Sequence, residues 1–162
     1  MQISFVRIDD RLIHGQTVTI WSKEYECNRI MACSDEAAND TFRKTLLLSV
    51  KIPNIKVYVV PIKKAIEAYK DPKYNDFKTM FLFTNPKDIL IMVENGFKIK
   101  SVNVGGMCYK KGKIQITNSI SVSEEDIDAF KKLSEKGIEL EIRQLAKDSK
   151  INLIERLKEL KL

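Results

Sequence analysis

The chain has a single histidine, His14, in the run Ile8-Asp9-Asp10-Arg11-Leu12-Ile13-His14-Gly15-Gln16. Neutral imidazole is a good nucleophile toward phosphorus near neutral pH. Arg11, three residues earlier, could meet a phosphoryl group with a planar fork of N–H donors. Asp9 or Asp10 could orient the imidazole by accepting the ring N–H opposite the attacking nitrogen; the sequence leaves the choice open. Each residue also has a structural alternative. A lone histidine is often a satisfied packing residue, and Arg11 could be an ion-pair partner for either Asp. The polar loop, Gly15 and the helix expected to follow favour chemistry.

Two further loops carry suitable groups. Thr84-Asn85-Pro86 offers a hydroxyl and a helix start, and Gly105-Gly106-Met107 offers free backbone N–H groups. With the His14 loop they compose a phosphate-binding set, because N–H groups at helix starts bind anions. Thr84 could equally be a cap, Gly105 and Gly106 a turn with positive φ, and Asp35 a helix cap. A histidine phosphatase is disfavoured: it would carry Arg-His-Gly and a second histidine, whereas this chain has Ile13-His14-Gly15 and no other.

The elements that must hold these loops alternate along the chain. Strands are expected at 3–7, 29–33, 56–60, 79–83, 101–104 and 139–144. Helices are expected at 16–24, 39–50, after Pro61, from Pro86 to Asn95, from Ser123 to Gly137 and from 151 to 162. Lys110-Lys111-Gly112-Lys113 reads as a hairpin turn leading into 114–116. This pattern predicts an α/β fold: a single-domain, open, mostly parallel twisted sheet with helices on both faces, plus a small antiparallel hairpin. Residues 1–162 read as one domain. In such sheets ligands lie beyond the carboxyl ends of the strands, where all three loops emerge.

Composition sets outer limits. With 44% hydrophobic and 31% charged residues, the chain can bury a core and is not disordered. No apolar run reaches the ~18 residues of a membrane span, and the amino terminus lacks the pattern of a signal peptide. Three cysteines, Cys27, Cys33 and Cys108, suit neither a disulfide framework nor a zinc motif, and read as reduced thiols. No metal site is expected. The net charge of +6 sits in the middle: residues 51–114 carry about +8, with lysines clustered at 98, 100, 110, 111 and 113. Clustered lysines can steer an acidic partner. A nucleic-acid partner is not expected, since no binding motif accompanies them.

The stretch Arg7 to Gln16 closely resembles the signature of the IIB component of the bacterial sugar phosphotransferase system, mannose/fructose/sorbose class. Ser34-Asp35-Glu36-Ala37-Ala38-Asn39-Asp40, Leu82-Phe83-Thr84-Asn85-Pro86 and Asn103-Val104-Gly105-Gly106-Met107 resemble later motifs of that family, so the likeness runs along essentially the whole chain. Ser34 departs from the Asn of many members. The resemblance implies a cytoplasmic phosphoryl carrier, peripherally associated with a membrane complex and not itself inserted in the bilayer. Phospho-IIA would donate to His14, at Nδ1 by family analogy, and His14 would pass the group to a sugar in the IIC–IID complex. Arg11 would balance the phosphoryl oxygens. Asp10, Gly15, Gln16, Thr84, Gly105 and Gly106 would bind the group or shape the loops. No metal or organic cofactor is implied. With no IIA domain ahead of the first strand, the donor is expected to be a separate polypeptide. The sugar and the oligomeric state are left open, a homo-oligomer included. The alternative is a regulatory or nucleic-acid-binding module on the same fold without transfer; a stand-alone phosphatase is the third reading.

Overall fold

The computed structural model describes residues 1–162. Its elements in chain order are β1 (Gln2–Asp9), α1 (Gly15–Glu24), β2 (Arg29–Cys33), α2 (Asp35–Asn39), α3 (Thr41–Leu48), β3 (Lys56–Val60), α4 (Ile62–Lys70), β4 (Lys78–Phe83), α5 (Pro86–Glu94), β5 (Ser101–Gly106), β6 (Ile114–Gln115), β7 (Ser121–Val122), α6 (Glu124–Glu135), β8 (Glu139–Ile142), β9 (Ile151–Asn152) and α7 (Leu153–Glu159). Seven strands form one sheet in the order β3-β2-β4-β1-β5-β8-β9, and β6 pairs with β7 in a second. All pairings in the large sheet are parallel except β8 with the short edge strand β9. The expected open, mostly parallel sheet with an added antiparallel hairpin is the one observed.

Both faces of the sheet are covered because its central strands send apolar side chains to each side. Along β4, Phe81 and Phe83 enter the core with Val104, Ile89, Phe130 and Leu157. Met80 and Leu82 point the other way, toward Phe5, Val18, Trp21 and Leu47. Side chains alternate faces along a strand, so a strand buried on both sides reads as a continuous apolar run. α1 is held to its face by Trp21, which stacks on Phe5 at 4.7 Å between ring centroids. That contact fixes where the start of α1, and His14 before it, can lie.

Several local expectations change. β1 extends to Asp9, so Asp9 ends a strand instead of belonging to the polar loop. The helix expected at 39–50 is two helices, α2 and α3, broken at Asp40. Asp40 is extended (φ −94°, ψ 100°) and its carboxylate accepts from Arg43 N, which starts α3. Ser34 caps α2 by accepting from Ala37 N, so the cap is Ser34 and not Asp35. The turn at 110–113 does not join the paired strands: the β6–β7 hairpin closes later, where Ile116 N donates to Ile120 O. The terminal helix begins at Leu153, because residues 151 and 152 pair with β8 and Asn152 caps α7. Finally, Gly105 and Gly106 end β5, and neither has positive φ.

Candidate functional site

β1 ends at the centre of the sheet, between β4 and β5. Leu12 N then donates to Asp9 O at 2.8 Å, closing a tight turn. Leu12 adopts the left-handed conformation (φ 59°) while fully buried. A non-glycine residue held there costs on the order of 1 kcal/mol, and core packing must hold it. Ile13 is buried beside it, so the polar loop is pinned by two apolar side chains. His14 is the N-cap of α1, and Gly15, at φ 36°, makes the entry that an L side chain would strain.

Asp9 is the hub of the loop. His14 Nε2 lies 3.0 Å from Asp9 Oδ2. Arg11 Nε donates to Oδ1 and Nη2 to Oδ2, each at 3.1 Å, and Arg11 N also donates to Oδ1 at 3.1 Å. Arg7 Nη2 donates to Oδ2 at 3.1 Å. Burial alone would push the Asp9 carboxyl up; the His14 and Arg11 hydrogen bonds and the Arg7 charge outweigh it and hold it well below the usual carboxylate range. The structure thus selects Asp9 as the imidazole's partner. Asp10 does something else: its carboxylate accepts from Cys108 N at 2.6 Å, and its carbonyl accepts from Arg43 Nη2 at 2.9 Å. Asp10 ties the loop to the end of β5 and to α3.

Arg7 is the main residue that the sequence reading passed over. It is 2% exposed. Its guanidinium donates to Asn103 Oδ1, to Arg143 O and Gln144 O at 3.2 Å each, and to Asp9. A methyl group at Gly105 would lie 2.1 Å from that guanidinium, and one at Gly106 would lie 3.1 Å from Asp9 Oδ1. The glycines are therefore needed for close approach, and the turn with positive φ is not found. The signal was present: Arg7 and Asn103 are polar residues inside otherwise apolar strands, at positions a two-sided sheet must bury.

The remaining sites are spread around this hub. Gln16 is exposed in the first turn of α1. Thr84 follows β4, one residue past the Ile8–Phe83 pair, and its hydroxyl accepts from Asn85 Nδ2 at 3.1 Å. Neither bonds to Asp9, Arg11 or His14. The side chains of His14 and Arg11 are 24% and 50% exposed, respectively. A cavity of about 390 Å³ opens beside Arg11, lined in part by Asp10, Gly106, Cys108 and Ser119. No cluster of His, Cys, Asp and Glu is arranged to hold a metal ion, and no helix is long and apolar enough to cross a membrane.

The fold and loop together define a class: an open α/β protein presenting one imidazole, backed by a buried carboxylate, at a helix start beyond the sheet's carboxyl edge. Comparison with known proteins gives the family. The profile of the "PTS system sorbose subfamily IIB component" matches residues 3–162, and the chain belongs to that family. It is 52% identical over 155 residues to the "PTS system mannose-specific EIIAB component" of Escherichia coli K12; that match covers 96% of this chain and 48% of the relative, so the chain spans about half the relative's length. It is 46% identical over 158 residues to the "PTS system fructose-specific EIIB component" of Bacillus subtilis, covering 98% of this chain and 97% of the relative. Among solved structures, it superposes on the IIBSor domain of the sorbose permease from Klebsiella pneumoniae with TM-score 0.96, 44% identity and 98% of each chain covered.

Proposed function

We propose that residues 1–162 act as one IIB domain that carries a phosphoryl group on His14 between a IIA donor and a sugar at the IIC–IID membrane complex. The observation that carries this reading is the placement of Asp9 against His14 Nε2. It assigns the ring proton to Nε2 and leaves the Nδ1 lone pair for phosphorus. In the first step the N–P bond on the donor histidine breaks as a bond to His14 Nδ1 forms, and the Nε2 proton stays on Asp9's side of the ring. In the second, the N–P bond breaks as the sugar hydroxyl oxygen bonds phosphorus; the hydroxyl proton is released to solvent and His14 regains its Nδ1 lone pair. Such transfers need positioning and charge stabilisation more than covalent help. Arg11 supplies a half-exposed cation at the site. The first-turn N–H groups of α1 lack intrahelical partners and favour an anion.

Relatives named for mannose, fructose and sorbose support a sugar as final acceptor. The E. coli relative, an EIIAB component, supports a IIA partner. The lysines bear on this contact less simply than their spacing suggests. Lys98 and Lys100 precede β5, at the end of the sheet opposite His14, whereas Lys110 and Lys111 follow it, at the His14 end. Only the second pair stands where it could meet an acidic donor surface, and transfer from phospho-IIA should slow as salt rises. The two pairs lie at opposite ends of β5, which argues against their forming one basic face for nucleic acid.

The test is phosphorylation from phosphoenolpyruvate through the general phosphotransferase proteins and IIA. Mass spectrometry under alkaline conditions should map an acid-labile label to His14, and His14→Ala should take none while keeping its fold. Label retained in that variant rejects the assignment. Free phosphate released without an acceptor sugar would favour a phosphatase instead.

A further inference from the structure

Carrier chemistry uses one exposed arginine, yet the structure buries a second beneath it. Asp9 receives five N–H donors: one from Arg7, three from Arg11 and one from His14. A carboxylate offers about four lone-pair sites, so the resting hub is oversubscribed. The two arginines differ in freedom. The Arg11 side chain is half exposed, and Asp9 is its hydrogen-bond partner. Arg7 is fastened by Asn103, by two backbone carbonyls and by Asp9, with Gly105 closing the space above it.

We propose that Arg7 is a positioning residue for phosphoryl transfer: a fixed counter-ion that keeps Asp9 charged and aimed at His14 Nε2 while Arg11 leaves Asp9 for the phosphoryl group. The proposal rests on the carrier reading of His14. If the Arg11 side chain departs, Asp9 keeps three donors: Arg7, the Arg11 backbone and the imidazole. An arriving phosphoryl group brings up to two negative charges. Those charges would favour protonation of Asp9 unless a buried cation stays beside it. Lysine could not replace Arg7 in full, because its ammonium lacks a planar fork for acceptors on several sides. The charged groups around Arg7 are Asp9 on its own strand, Arg11 in the loop, and Glu141, which accepts from Arg143 at 2.9 Å on the β8 side.

The experiment measures phosphoryl acceptance from phospho-IIA by the full chain and its variants Arg7→Met and Arg7→Lys, with circular dichroism and thermal melting as fold controls. Arg7→Met should lose about 10–100-fold in kcat, the range for loss of an orienting partner. Its KM for phospho-IIA should stay within about twofold, because the side chain is buried. The loss should deepen as pH falls, relative to the unsubstituted protein, as Asp9 takes up a proton. Arg7→Lys should recover part of kcat and most of the pH tolerance. If Arg7→Met does not fold, the double variant Arg7→Met with Asp9→Asn, which buries no charge at either position, takes its place. The double variant should transfer slowly without the deepened acid loss. A folded Arg7→Met with unchanged kcat overturns the proposal. So does a loss confined to KM, or a double variant transferring at the original rate. An unsubstituted chain that takes no label on His14 refutes the carrier reading instead, whatever Arg7 does.

Discussion

Asp9 and Asp88 stand at the same edge of the sheet, one ending β1 and the other in the first turn of α5 after the neighbouring strand β4. Asp9 is fully buried among two guanidinium groups and an imidazole, and its carboxyl is held far down. Asp88 is half-buried with Asn85 as its hydrogen-bond donor. Burial raises its carboxyl above the ordinary value, and the charge of Asp35 adds to the rise. Asp35 is itself engaged by Ile62 N at 2.8 Å, where α4 begins. The deeper carboxylate is thus the more strongly ionised. Burial does not decide the charge state by itself; the cations brought with it do. One carboxylate serves an imidazole, and the other, without a cation bonded to it, holds the side chain of Asn85, the cap of α5.

The largest test of that contrast is Asp9→Asn. It leaves Arg7 buried beside a neutral amide, and removing one partner of a buried pair costs about 3–5 kcal/mol. Urea unfolding at pH 7 measures the loss. The pH dependence should change as well. The Asp9 carboxyl lies below its unfolded value of about 3.9, so the folded state binds fewer protons there. Its stabilisation is present above about pH 4 and lost as pH falls toward the folded value. Asp9→Asn should flatten that acid-side loss; an equally steep loss would place the cause elsewhere.

Gly105→Ala should come next. The added methyl group would meet the immobile Arg7 guanidinium, and overpacking of this kind costs about 1–3 kcal/mol. A melting temperature unchanged by the substitution would mean that Arg7 is looser than its bonds imply. Arg11→Lys sharpens the comparison within the loop. Because Arg11 is half exposed, stability should change by less than about 1 kcal/mol. Replacing a bidentate fork by a point charge should slow phosphoryl acceptance about tenfold. Transfer at full rate would remove Arg11 from the phosphoryl group.

Asp88→Asn should have the smallest effect, within about 1 kcal/mol at pH 7. Its sign is opposite to that of Asp9. A raised carboxyl contributes stability at pH below its unfolded value, and that contribution is lost as pH rises through the folded one. Removing it should leave Asp9 unopposed and make the acid-side loss steeper, which unfolding curves between pH 3 and pH 6 would show.

Much of this was legible in the residues. The apolar run at 79–83 announced a buried parallel strand, and Asn85-Pro86 announced the start of α5. His14 stood out as the lone imidazole beside a glycine. The misreadings have two causes. Asp40 breaks a helix because its carboxylate caps the next one, a local competition that apolar spacing does not report. The 110–113 turn and the β6–β7 hairpin differ because strand pairing is settled by which distant backbone is free to bond.

By itself the sequence determined the alternation of strands and helices, the two-sided core and the loop that carries the imidazole, because periodicity and glycine placement act over a few neighbouring residues. Only the tertiary structure decided which aspartate serves His14, why Gly105 has no side chain, and that Arg7 belongs to the site. Those facts depend on β1 lying beside β5, with Asn103 and the 143–144 carbonyls brought within reach of one guanidinium across roughly a hundred residues of chain or more. Hydrogen bonds act over about 3 Å, so no spacing in the chain could announce them before the sheet closed that distance.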